Sequence, residues 1–99
     1  MSVTIGRARV TILFEATFSL KEKRGEISSL TKRVSNRFNA AIAEIETLDD
    51  VRTGTLGIVV VSNNANHASQ MLHSIAGFIE RQLDLGYLGE VEIELIPFD

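Results

Sequence analysis

The stretch "SLKEKRGE", Ser19 to Glu26, places Lys21, Lys23 and Arg24 in what reads as the first turns of a helix. A helix start presents unpaired N–H groups and a partial positive charge, so each cation there costs about 0.3–1 kcal/mol unless an anion or a carboxylate offsets it. The chemistry this pattern points to is anion binding. Lys32, Arg33 and Arg37 follow, so residues 19–38 hold six cations against Glu22 and Glu26 and carry +4, while residues 1–18 carry +1 and residues 39–99 carry −8. Two readings compete. A solvated face would pair Lys23 with Glu26 at i,i+3 and leave Lys32, Arg33 and Arg37 near the helix C-terminus, where cations are favoured. It leaves Lys21 and Arg24 without an evident partner, and an external anion such as RNA phosphate would supply one.

Other constellations are weaker. His67 and His73 are six apart, not the three or four that share a helix face, and no third ligand accompanies them, so a metal site is not expected. Ser62 near His67 lacks the sharp turn that presents a serine nucleophile, and its Asn-rich surroundings suit helix capping. An acyl-phosphate hydrolase of this size would need a phosphate cradle with an arginine after the first strand. Here that connection is "EATFS", with neither glycine nor base. The expectation is a protein that is not an enzyme and needs no cofactor.

The elements that position these residues follow from periodicity. "VTIGRARVTILF" alternates, setting Ala8, Val10, Ile12 and Phe14 on one face and Arg7, Arg9, Thr11 and Leu13 on the other, which predicts β1 over 3–14. Ser19 followed by Glu22 forms a capping box, and Leu20, Ile27, Leu30, Val34 and Phe38 recur at helical spacing, predicting α1 over 20–37. Gly25 weakens the early turns of that helix by up to about 1 kcal/mol. "NAAIAEIE" predicts a strand β2 over 39–46, and the apolar run in "RTGTLGIVVVS" a central strand β3. After "NNAN", Ala68, Met71, Leu72, Ile75, Ile79 and Leu83 mark α2, with Gly86 expected as its C-cap; "EVEIELIPF" supplies β4. Arg7 and Arg9 then face Glu92 or Glu94 across the ladder.

The order β-α-β-β-α-β defines an α+β, ferredoxin-like sandwich, a four-stranded antiparallel sheet of order 4-1-3-2 with both helices on one face. One domain should span residues 1–99, since a chain of this size buries roughly 60–65% of its unfolded surface in a single core. The other sheet face is left open, and Thr11, Leu13, Thr55, Gly57, Val59 and Val61 should lie on it beside Ala41, Ala43 and Ile45. Its apolar centre predicts a homodimer interface, with Thr11, Leu13, Gly57, Val59 and Val61 as contacts and sheet-to-sheet stacking as one geometry. No aromatic platform for stacking bases occupies that face. A net charge of −3 argues against general nucleic-acid coating, so no DNA partner is expected. With no cysteine, no signal-peptide pattern and no apolar run near the roughly 20 residues of a membrane span, a cytoplasmic location without membrane association is expected.

The chain resembles the YlxP-like family, small bacterial proteins of unknown biochemical function. The resemblance rests on "SLKEKR" at Ser19 to Arg24, "RFN" at Arg37 to Asn39 with "AE" at Ala43 and Glu44, and "TLGIVVVSNN" at Thr55 to Asn64 with "HA" at His67 and Ala68. It implies a ferredoxin-like fold, offers no catalytic residues, and suggests a ribosome-linked role through genes that often lie beside those for translation initiation and ribosome maturation. The chain departs from that pattern before the third strand, where "TLDDVRTG" stands in place of a longer polar segment with Trp. Together these readings predict an accessory protein contacting ribosomes or structured RNA through Lys21, Lys23, Arg24, Lys32, Arg33 and Arg37. The alternative is a small-ligand-binding regulatory homodimer of the ACT-like type.

Overall fold

Residues 3–98 are described by a computed structural model. Their order is β1 Thr4–Leu13, α1 Leu20–Arg37, β2 Ala41–Glu44, β3 Thr53–Ser62, α2 Ala65–Gln82 and β4 Tyr87–Pro97. The antiparallel sheet runs β2-β3-β1-β4, the predicted order read from the opposite edge. Both helices pack on one face. Their inward residues, Ile27, Leu30 and Val34 from α1 and Ala68, Leu72, Ile75, Phe78 and Ile79 from α2, close over Ala8, Val10, Ile12, Leu56, Ile58 and Val60 of the central strands. This is the ferredoxin-like sandwich.

The predicted bounds of α1 hold, and its capping box forms as read: Glu22 N–H donates to Ser19 Oγ at 3.1 Å and Ser19 N–H to Glu22 Oε1 at 2.9 Å. Other boundaries shift. β2 is shorter than 39–46 because the chain turns out of the ladder at Glu46, which takes a left-handed φ of 65°, and Thr47 N–H bonds back to Ile45 O. β4 starts at Tyr87, three residues before the predicted strand, carried past a register irregularity opposite Val10 to Ile12.

Gly86 is not the C-cap of α2. The helix ends at Gln82, and Leu83, in extended backbone, donates its N–H to Ile79 O. Gly86 instead serves close approach: a Cβ there would stand 2.7 Å from Ile12 Cγ2 and 3.1 Å from Leu13 O. Thr55 was expected on the open face yet is buried, because Thr47 folds over it and accepts its N–H at 2.8 Å.

Candidate functional site

The first turns of α1 separate three cations that the sequence presents as a set. Lys23 is a correction. Its side chain is 0% exposed and reaches Glu44 Oε2 at 2.9 Å, Thr47 O at 2.5 Å and Asp50 O at 2.5 Å, so it binds no external anion and does not meet Glu26. The signal was available: Lys23, Ile27, Leu30 and Val34 follow one helical stripe, and the lysine occupies its N-terminal position. Arg24, expected to lack a partner, meets Asp49 at 3.1 Å across an exposed gap. Lys21 remains exposed, without a carboxylate within bonding distance among the described residues.

Along the rest of α1, Lys32, Arg33 and Arg37 are exposed and likewise have no carboxylate partner among the described residues. Arg33 donates to Gln82 Oε1 at 2.8 Å, and the Arg37 guanidinium stands 5.0 Å from the ring centre of Phe78 and 5.9 Å from that of Phe38. Those contacts orient the two arginines without neutralising them. The helix's own carboxylates are engaged elsewhere. Glu22 completes the cap, and Glu26 accepts the backbone N–H groups of Asp84, Leu85 and Gly86 at 2.7 to 3.1 Å, tying α1 to the turn before β4. That tie joins residues about sixty positions apart, and no local pattern announces it. Along its exposed length α1 thus keeps Lys21, Lys32, Arg33 and Arg37 as positive charges, the two arginines on the flank toward α2, while Asp49 meets the charge of Arg24.

On the opposite side of the molecule the sheet face is open, as expected, with Val59 46% and Val61 58% exposed and Thr11, Leu13 and Gly57 half-buried. A shallow trough of about 870 Å³ lies there, floored by Ala41, Ala43, Gly57 and Val59 and bounded by Ile45, Arg7 and Arg9. Strand register crosses it with two charged rows, Val59–Arg7–Glu94 and Gly57–Arg9–Glu92. Arg7 Nε donates to Glu94 Oε1 at 2.7 Å, while Arg9 donates to Glu46 at 2.7 Å and to Glu92 at 3.4 Å. The hydrogen bond and charge of Glu46, with Glu92 adding to them, raise the pKa of Arg9 above its ordinary value. The predicted cross-strand pairs are present; Glu46 was not foreseen, because only the left-handed turn brings it back over the sheet.

Ser62 Oγ lies 3.0 Å from His67 Nδ1, but it also accepts Asn64 N–H, while Asn64 Oδ1 accepts His67 N–H as the N-cap of α2. The pair belongs to a capping network, with no carboxylate bonded to the imidazole among the described residues. His73 bonds within its own helix to Ser69. Among the described residues, no three His, Cys, Asp or Glu side chains gather as a metal site, and no helix is long and apolar enough to cross a membrane.

Residues 5–90 match the family model described as "Protein of unknown function (DUF503)". The uncharacterized protein YlxP of Bacillus subtilis (strain 168) is 33% identical over 76 residues, covering 77% of this chain and 83% of the relative. Among solved structures, the de novo designed protein Foldit4 superposes with a TM-score of 0.54 at 12% identity, covering 95% of this chain and 96% of the other, a likeness of fold alone. A second designed protein, LFR1 1 with ferredoxin fold, is 22% identical with a TM-score of 0.42, covering 100% of this chain and 87% of the other.

Proposed function

Since the chain belongs to the DUF503 family, whose function is unknown, its role has to be argued from its surfaces, and we propose that it is a non-enzymatic accessory protein contacting ribosomes or structured RNA through α1. One observation carries this reading: among the described residues, Lys21, Lys32, Arg33 and Arg37 share an exposed helix with no carboxylate to answer them, in a protein whose net charge is −3. Cations spaced along one helix of an otherwise acidic protein suit a polyanion that delivers several phosphates at once. Oriented guanidinium groups at Arg33 and Arg37 suit it further, because less side-chain freedom is lost when they bind. The gene neighbourhood implied by the YlxP-like resemblance points the same way.

The test is co-sedimentation with ribosomes, and binding to a structured RNA hairpin, across a range of salt concentrations. Replacing Lys21 and Lys32 with Gln should reduce the log–log salt slope by about 0.7–0.9 for each phosphate that is no longer neutralised. Neither lysine side chain makes an internal bond among the described residues, so the fold should hold, with melting unchanged or slightly raised as the unfavourable helix-start charge of Lys21 is removed. Wild-type protein that binds neither target, or a double variant that binds both as before, ends this reading.

The trough on the open sheet face favours a second reading, a regulatory protein that takes a small ligand between Ala43, Gly57 and Arg9. A thermal-shift screen of metabolites, with Gly57→Leu filling the trough as the control, separates it from the first. A stabilising compound whose effect vanishes in Gly57→Leu would support this second reading.

A further inference from the structure

The two edges of the sheet are built differently. β4 carries Glu90, Glu92 and Glu94, a register irregularity and Pro97, each a device that discourages another strand from pairing. Antiparallel self-pairing centred on Glu92 would set that carboxylate against its own copy and Glu90 against the partner's Glu94. The β2 edge, "AAIAE" from Ala40 to Glu44, has no proline, no bulge and one charge, and that charge is held inward by Lys23.

We infer that β2 is the edge at which two copies of this chain pair, antiparallel about a two-fold axis at Ile42, making one continuous sheet. Ile45 N–H bonds to Thr55 O, and the alternation of an antiparallel ladder then turns the Ala43 and Ala41 backbone groups toward β3 and the N–H and C=O of Ile42 toward the outer edge. On the two-fold, Ile42 exchanges both hydrogen bonds with its copy, and Ala40 does so with the partner's Glu44. Ala41 stands opposite the partner's Ala43, and no like charges meet. The ladder is short, so side-chain burial has to support it. Phe38, Ala40 and Ile42 supply that, all packed against the core yet only half-buried at this edge. Stacking the open faces instead would bury the Arg7–Glu94, Arg9–Glu92 and Arg9–Glu46 pairs, at a desolvation cost the edge arrangement avoids.

In the pair, the trough floor formed by Ala41 and Ala43 runs on into the partner's. Two copies of α1, which lies over β2, come side by side and double the basic surface. The inference does not depend on RNA binding.

The experiment uses the absence of cysteine from the chain. With Ile42 in the bonded pair, Ala41 and the partner's Ala43 form the closer, non-bonded pair at a Cα separation of about 4.5 Å, within disulfide range. Ala41→Cys and Ala43→Cys, mixed and oxidised, should give a cross-linked dimer that neither variant gives alone. By light scattering, wild type should be a dimer, Ala41→Lys/Ala43→Lys a monomer, and Ala41→Lys/Ala43→Glu a dimer again, because the two-fold sets opposite charges together. All are measured without RNA, so the result is separate from the fate of the α1 reading. A wild-type monomer, a dimer that survives the two lysines, or a mixture that forms no cross-link overturns the proposal.

Discussion

Lys23 Nζ lies 2.9 Å from Glu44 Oε2, with the lysine side chain fully shielded and the glutamate side chain 10% exposed. The two carbonyls at 2.5 Å, from Thr47 and Asp50, take its remaining protons. An ion pair so enclosed depends on having every partner in place, because each charge has given up its water.

Removing one half should therefore be severe. Lys23→Met strands Glu44 and two carbonyls and should cost about 3–5 kcal/mol. Lys23→Met/Glu44→Leu should recover much of the loss by removing both charges together. Urea titrations of the two variants test this, and equal midpoints for Lys23→Met and wild type would show that the pair contributes nothing.

Glu26 makes the second internal anchor. Glu26→Ala leaves three N–H groups at 84–86 to find water, which should cost about 1.5–3 kcal/mol, as expected for bonds to a charged acceptor. The loss should be accompanied by faster amide exchange at Leu85 and Gly86. Unaltered exchange there would show that the turn holds itself.

Two glycines should respond with opposite signs. A Cβ at Gly25 meets nothing within 4 Å, and its φ is not positive, so Gly25→Ala should stabilise by about 0.5–1 kcal/mol through helix propensity. At Gly86 the methyl would press on β-branched Ile12 and on the Leu13 carbonyl, so Gly86→Ala should destabilise by about 1–3 kcal/mol. Calorimetric melts give both signs in one experiment.

The ion pairs of the open sheet face should matter little to stability. Arg7 and Glu94 have side chains 54% and 55% exposed, and Arg7→Gln should change stability by no more than about 1 kcal/mol. A larger loss in a chemical melt would mean that this pair is shielded in solution by a surface laid over it.

Periodicity was enough for the fold because the apolar positions agree at every level: Ala8, Val10 and Ile12 inward on β1 with Phe14 just past its end, an unbroken run on β3, and stripes along both helices. The site was legible only in part, for a physical reason. Charge type and spacing locate cations on α1, but whether each one faces water depends on contacts with remote segments. Arg24 was separated from the set by Asp49, a loop residue 25 positions away, and Glu26 was withdrawn from its helix neighbours by the turn at 84–86. Lys23 differs, since its place on the buried stripe was readable, and its type overshadowed its position. Gly86 departs from expectation because helix capping by glycine is a local habit, whereas its role is set by Ile12 and Leu13 across the core.

The segment between β2 and β3 is fastened from both sides of the molecule: Thr47 and Asp50 to Lys23, Asp49 to Arg24, and Glu46 to Arg9 on the sheet. A connection held this way has already surrendered its conformational freedom during folding. Whatever touches it, from the helix side or the sheet side, meets a preformed surface and loses little entropy in doing so.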